Sequence, residues 1–234
     1  KIKQKSNSFA LRLYGKSKNK VGHSKDRLLA SLELAIAGNI IDFGVKNSLN
    51  IDVELKKILT REKSYVHKKA VFHYFEFKQV LRKAKTILYL ADNAGETVFD
   101  RLLMEEIKGL YPEKYIYYAV KENPIINDAL RKDAQRCGIG KVAQIISNGS
   151  DAPGTVLFLC SKEFLKIYNN ADMIISKGQG NFESISQEKR LIFFLFMVKC
   201  PVVAKTARCK LGDIILLCNK KGSREFKNAG KDSF

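Results

Sequence analysis

Asp92 and Asn93 stand together in Ala91-Asp92-Asn93-Ala94-Gly95-Glu96-Thr97, directly after an apolar run of strand length, Thr86–Leu90. A carboxylate and an amide side by side at a strand end offer hard oxygen ligands for Mg²⁺ or Mn²⁺. The small Ala94 and Gly95 let a phosphate approach the N–H groups near Gly95 and Glu96 that open the following helix. A second reading serves the same residues equally well: Asn93 caps the helix and Glu96 completes a capping box. The next strand ends in Val120-Lys121-Glu122-Asn123-Pro124-Ile125-Ile126-Asn127-Asp128. Pro124 fits the first turn of a helix, which puts Asp128 one turn in, facing the strand ends and adding a carboxylate to Asp92. Lys121 is placed to meet an anion, and Asn123 is a further candidate for substrate contact. The alternative for Asn127 and Asp128 is a solvated turn.

Two later loops add polar groups to the same edge. Ser147-Asn148-Gly149-Ser150-Asp151-Ala152-Pro153-Gly154-Thr155 is a small-residue loop suited to backbone contact with a ligand. Ser176-Lys177-Gly178-Gln179-Gly180-Asn181-Phe182-Glu183 brings Lys177 and a glycine loop, with Gly178 and Asn181 as candidate ligand contacts. Neither loop matches a P-loop or a dinucleotide fingerprint. Four polar loops at successive strand ends say more than any one of them. Upstream, Asn39 and Asp42 sit three apart in an apolar stretch and so share a helix face. Buried polar groups need partners, so this pair either bonds internally or lines the ligand cleft.

These residues must be positioned by two kinds of element. From Lys1 to about Lys85, Phe9, Leu13, Leu28, Leu29, Leu32, Ala35, Ile36, Ile40 and Phe43 recur at helical steps. Gly15, Gly22 and Gly44 punctuate the segments, and a further helix is expected over Ser64–Lys83. After Lys85 short apolar runs (Thr86–Leu90, Tyr115–Val120, Gln144–Ser147, Met173–Ser176, Val202–Ala204, Ile214–Cys218) alternate with helical stretches (Glu96–Leu110, Ile125–Cys137, Ser161–Asn169). This alternation predicts βαβ units in an α/β three-layer sandwich with a mostly parallel central sheet. Residues 1–85 then form an N-terminal helical subdomain capping the cleft, and 86–234 the α/β domain. Ligands in such sheets sit outside the carboxyl ends of the strands.

Bulk composition excludes less than it first implies. The 234 residues carry 42 Lys+Arg against 24 Asp+Glu, a formal charge of +18. The excess invites a nucleic-acid reading. It is mostly lysine, however, and is spread along the chain with no helix-turn-helix, zinc-finger or aromatic RNA-binding signature, so no specific nucleic-acid partner is expected. A methyltransferase using S-adenosylmethionine is a second alternative, weakened because the first loop holds only Gly95. Five cysteines without a CxxC pair fit reduced thiols in a cytoplasmic protein. His67 and His73 lie six apart, poor spacing for one helix face, and read as structural or exposed. Leu191–Val198, closed by Lys199, is too short to cross a membrane. Oligomeric state is left open.

The segments AIAGNIIDFG, LADNAGETVFD, VKENPIINDA, NGSDAPGT, ADMIISKGQGNFE and KCPVVA, in this order from about Ser6 to Cys218, resemble the damage-control phosphatase family, long known as domain of unknown function 89, in its compact prokaryotic form. The resemblance implies an α/β sandwich with an added helical domain. It also implies a metal-dependent phosphatase acting on small phosphorylated metabolites such as sugar phosphates or phosphopantetheine-like compounds. It implies metal ligation by Asp92, Asn93 and Asp128, substrate phosphate near Lys177, and a cleft lined by Asn39 and Asp42. Mg²⁺ or Mn²⁺ suits this oxygen set, and Co²⁺ or Ni²⁺ is tolerated. Direct attack by water is preferred to an aspartyl-phosphate on Asp92, because a DxDx(T/V) pattern is missing. Members of this type often carry cysteines near the N-terminus; none occurs here before Cys137.

Overall fold

The computed structural model describes residues 2–38, 71–206 and 209–219, so the expectations for Asn39, Asp42 and the start of the Ser64–Lys83 helix lie outside the described residues. The first helix, α1 (Ile2–His23), buries Ser6, Asn7, Ala10, Leu13, Ser17 and Val21, mostly three or four apart and therefore on one stripe. Most of these side chains are small, which lets α1 sit close to its neighbours. Gly15 and Gly22, expected to divide the segment, lie inside α1 on its open side, where nothing would crowd a side chain. A helical glycine there costs only about 1 kcal/mol and does not break the helix. The second helix, α2 (Arg27–Ala37), starts at Asp26, whose carboxylate accepts from Leu29 N at 3.0 Å. A third helix, α3, spans Tyr74–Lys83.

Beyond α3 the strands β1 (Thr86–Leu90), β2 (Tyr115–Val120), β3 (Gln144–Ser147), β4 (Met173–Lys177), β5 (Ile192–Met197) and β6 (Ile214–Cys218) form one six-stranded sheet in the order β3-β2-β1-β4-β5-β6. All pairings are parallel except β5 with β6. The intervening helices are α4 (Thr97–Leu110), α5 (Arg131–Arg136), α6 (Lys162–Asn170), α7 (Gln179–Ile185) and α8 (Pro201–Thr206). One face of the sheet packs Ile87, Tyr89, Tyr118 and Ile175 against α2, α3 and α4 through Leu32, Ile36, Phe77, Leu103 and Ile107. The other packs Leu88, Ile174 and Phe194 against α6 and α8 through Phe164, Tyr168 and Val203. Outside α4, Ala10 and Leu13 of α1 pack on Val98, Phe99 and Leu102. This is the expected α/β sandwich with a mostly parallel sheet.

Three local expectations are corrected. Ile192–Met197, read in the sequence only as an apolar run, is a strand buried on both faces; such runs carry no alternation to reveal them. Val202–Ala204, read as a strand, lies in α8, which opens at Pro201, whose fixed φ and missing N–H suit a first helical position. Ile125–Cys137 is helical only over Arg131–Arg136. Residues 121–129 are instead drawn into backbone bonds with the loop after β1, and Ile126 takes a φ of 40°. Of the two histidines expected to be structural or exposed, His73 is structural, its Nδ1 accepting from Cys218 N at 3.0 Å, and His67 lies outside the described residues.

Candidate functional site

The strand order reverses between β1 and β4, the switch point at which open α/β sheets leave a crevice beyond their strand ends. Register then decides which side chains face one another there. Tyr89 of β1 lies opposite Tyr118 of β2 and Ile175 of β4. Alternation puts Lys177, two residues past Ile175, on the same face. Helix α4 covers that face and delivers Asp100 to it. Four residues earlier, Glu96 occupies the short 3₁₀ turn Ala94–Glu96 that precedes α4.

The result is a buried ionic network. Lys177 Nζ donates to Glu96 Oε2 at 2.8 Å and to Asp100 Oδ1 at 2.7 Å, and these three side chains are at most 1% exposed. Tyr89 donates its hydroxyl to Asp100 Oδ1 at 2.7 Å, and Tyr118 donates to Oδ2 at 2.8 Å. At the other end, Asn93 Nδ2 donates to Glu96 Oε1 at 2.8 Å and to Asp92 Oδ2 at 3.0 Å. Hydrogen bonds therefore run without a break from the tyrosines of the core to the Asp92–Asn93 pair. They spend the amide nitrogen of Asn93, leaving its Oδ1 as the atom able to ligate a cation.

Asp128 reaches this place by strand pairing and not by a helical turn. Asn93 and Asp128 form an isolated antiparallel bridge; Ala94 N donates to Asn127 O at 2.9 Å and Ala129 N to Asp92 O at 2.8 Å. Lys121 Nζ lies 3.8 Å from Asp128 Oδ2, donates to Ala152 O at 2.8 Å, and also bonds Gly154 O. The small-residue loop after β3 thus turns carbonyls toward Lys121. Gly178, with φ of 81°, lies against the Asp92 carboxylate: a Cβ there would stand 2.2 Å from Oδ2. Asn181 Nδ2 donates to Lys177 O at 2.7 Å and Ala91 O at 3.1 Å, and its Oδ1 accepts from Thr155 at 2.7 Å. Gly95 is buried beneath α1, where a Cβ would meet Ser6 Cβ at 3.0 Å, and Glu96 N is bonded to Asn93 O. Asn123 is exposed and hydrogen-bonds to none of these residues.

Burial sets the electrostatics. It pushes the Asp92 carboxyl well above the usual carboxylate range, with the negative charges of Glu96 and Asp128 adding to the effect against the pull of Lys177. Asp100 and Asp128 are raised for the same first reason, opposed by Lys177 and Lys121 respectively. Burial lowers Lys121 despite Asp128. It works against Lys177 too, but Asp100 and Glu96 outweigh it and raise that ammonium. Among the described residues no group of three or more His, Cys, Asp or Glu is arranged to hold a metal by itself. A cation here would need the Asn93 amide and oxygens from water or substrate as well.

Sequence reasoning missed Asp100, Tyr89 and Tyr118. One signal was present: Asp100 follows Glu96 by four residues, on a helix face continued by Leu103 and Ile107, where a lone charge must have buried partners. It also missed what α1 contributes. Lys3 Nζ donates to Asp128 O at 2.7 Å, and Asn7 Nδ2 to Asp133 Oδ1 at 2.7 Å. Next to this contact lies a cavity of about 510 Å³, lined by Ile2, Lys3, Gln4, Ile126, Lys132, Asp133 and Arg136.

Comparison with known proteins bears on this geometry. The model of the damage-control phosphatase ARMT1-like domain matches residues 1–215. A damage-control phosphatase of Pyrococcus horikoshii is 40% identical over 192 residues, covering 81% of this chain and 64% of the relative. Another, of Archaeoglobus fulgidus, is 32% identical over 216 residues, covering 92% of this chain and 73% of its own length. An uncharacterized protein of Methanocaldococcus jannaschii is 37% identical over 223 residues, with 92% and 71% covered. The crystal structure of a domain-of-unknown-function-89 family protein from Pyrococcus horikoshii superposes with a TM-score of 0.80 at 36% identity, over 93% of this chain and 73% of that one.

Proposed function

The chain belongs to the damage-control phosphatase ARMT1-like family, and we propose that it is a metal-dependent phosphomonoester hydrolase acting on small phosphorylated metabolites, sugar phosphates or phosphopantetheine-like compounds. The observation that carries the metal dependence is the oxygen donor set: the Asn93–Asp128 bridge brings the Asp128 carboxylate beside Asp92 and Asn93 at the strand ends. Glu96 and Asp100 lie behind them, so four carboxyl groups gather near the strand ends. Lys121 and Lys177 pair with Asp128, Glu96 and Asp100, and the charges of Lys199 and Lys3 act on Asp92 and Asp128. Burial favours the neutral forms of Asp92 and Asp128, and a divalent cation between them would favour the ionised ones.

The donors fit a hard ion. Asp92, Asn93 through Oδ1 and Asp128 would hold it, with Mg²⁺ or Mn²⁺ best matched to oxygen ligands and Co²⁺ or Ni²⁺ tolerated. When bound, such an ion supplies Lewis-acid polarisation of phosphoryl oxygens and a more acidic ligated water. The chain's own residues do the remaining work. Gly178 leaves room for the Asp92 carboxylate, and Glu96 orients the Asn93 amide. Lys177, with two hydrogens given to carboxylates, keeps a third for a phosphoryl oxygen. Lys121 lies beside Asp128, where a second oxygen of the phosphoryl group would gain a charged donor.

The test is hydrolysis of p-nitrophenyl phosphate and a panel of phosphometabolites with Mg²⁺, Mn²⁺, Co²⁺ or Ni²⁺ and with EDTA. Phosphate release should need the metal and drop at least 10²-fold in Asp92→Ala. Release that ignores EDTA, or full activity in Asp92→Ala, would sink the reading.

A further inference from the structure

Asp100 has no place in the proposed chemistry, since it touches neither the three candidate metal ligands nor open solvent. Its carboxylate is nonetheless fully buried, which costs several kcal/mol for any ion left without close partners. Each partner comes from a different strand: Tyr89 from β1, Tyr118 from β2 and Lys177 from β4. These three adjacent strands also carry Asp92 and Asn93, Lys121, and Gly178 at their carboxyl ends. Apolar side chains would glue the strands together as well as this network does, and at lower desolvation cost. What they would not do is fix a charge. Lys177, held between Asp100 and Glu96, cannot swing away from Glu96, and Glu96 in turn holds the amide of Asn93.

We propose that Asp100 is the positioning residue of this site: it anchors Lys177 and, through Lys177 and Glu96, sets the Asn93 amide so that its oxygen is presented to a divalent cation. The inference rests on the metal-dependent reading above. Partners behind metal ligands typically matter 10–100-fold in affinity or activity, because they set ligand orientation rather than ligand number. Asp100→Asn keeps the shape and removes the charge, and its amide nitrogen turns donor against donor toward Lys177 or a tyrosine.

The experiment uses the whole chain, stripped of metal with EDTA and titrated with Mn²⁺ by calorimetry, alongside kcat and KM for p-nitrophenyl phosphate and thermal unfolding of the metal-free protein. Asp100→Asn should weaken Mn²⁺ binding roughly 10-fold or more and lower kcat by a similar factor. Tyr89→Phe and Tyr118→Phe, which each remove one hydroxyl and leave both charges, should shift Mn²⁺ affinity the same way by a smaller factor. A purely structural role would move the unfolding temperature and leave Mn²⁺ affinity at the native value. A folded Asp100→Asn protein with native Mn²⁺ affinity overturns the assignment; if that variant does not fold, native affinity in the Tyr89→Phe, Tyr118→Phe double variant overturns it. The two levels fail differently. Native protein that binds no divalent ion refutes the metal reading itself, whereas native binding with unaltered variants refutes only the role of Asp100.

Discussion

Replacing Gly178 by alanine puts a methyl group where the Asp92 carboxylate lies. The added carbon would stand 2.2 Å from Oδ2, 2.3 Å from Cγ and 2.7 Å from Oδ1. Real Cβ atoms essentially never come closer than 3.0 Å to a neighbour, so the carboxylate must retreat by about 0.8 Å. The backbone resists the alternative of moving Gly178, because φ of 81° with ψ of 156° is a conformation nearly reserved for glycine. Holding alanine there costs about 1–3 kcal/mol, or roughly 2–12 °C in Tm for a chain of this size. A misplacement near 1 Å in a catalytic constellation costs on the order of 10²-fold. Gly178→Ala should therefore lose Mn²⁺ affinity and kcat by about that factor while still melting cooperatively. Gly180→Ala is the control: its nearest atoms lie 3.7 and 3.8 Å away, so Mn²⁺ affinity and kcat should stay within about twofold. Calorimetry with Mn²⁺ and steady-state kinetics on both variants decide the matter. A folded Gly178→Ala protein that binds Mn²⁺ and turns over like the native one would refute the idea that this contact fixes a working Asp92.

Two further outcomes follow from contacts away from the strand ends. Asp133 accepts from Asn7 Nδ2 at 2.7 Å and from Leu130 N at 3.1 Å. Asp133→Ala orphans both donors, at about 1–3 kcal/mol each, and should lower the urea midpoint and speed amide exchange where α1 meets α5; an unchanged midpoint rules this out. Asp172 accepts from the backbone N–H groups of Thr86 and Lys85, and these bonds hold its carboxyl below the usual carboxylate range. A depressed folded-state pKa stabilises the protein above the unfolded value of 3.8 and loses that contribution as pH falls through the folded one. The Tm gap between native protein and Asp172→Ala should be full at pH 6 and close below about pH 4; a gap that widens on acidification contradicts the assignment.

How much of this was legible in the sequence varied with the physics at each position. Asp92, Asn93 and Lys177 stand where an apolar strand gives way to small and polar residues, a change that any parallel sheet must show at its edge. Asp128 carried a weaker signal. Its neighbours read as a helix after Pro124, and only the backbone pairing with Asn93, a contact between distant residues, draws the segment out of that conformation. Strand β5 and helix α8 were exchanged for a similar reason. Ile192–Met197 is apolar on every side and has no period to read, whereas Val202 and Val203 after Pro201 have strand propensity that the packing of Val203 and Ala204 against the sheet overrides. Asp100 was hidden because its meaning depends on Tyr89, Tyr118 and Lys177, and the register that brings them together is a property of the folded sheet.

The net charge of +18 concealed the chemistry for a related reason. Among the described residues three lysines are buried: Lys114, Lys121 and Lys177. Lys114 precedes β2 at the far end of the sheet and is spent on the carbonyl of Ala84. Of these three, Lys121 and Lys177 lie at the carboxyl edge, beside Asp128 and beside Glu96 and Asp100 respectively. On the metal-dependent reading proposed above, a phosphate drawn in by the basic exterior would meet, at the strand ends, a cation held among carboxylates. Long-range attraction is screened within about 8–10 Å at ordinary salt, so the general field can gather anionic metabolites near the crevice but cannot hold one inside. On the same reading, selectivity for a phosphoryl group would come from the cation and the two buried ammonium groups. The two ammonium groups are not held alike: Asp100 and Glu96 more than offset burial at Lys177, whereas burial lowers Lys121 despite Asp128.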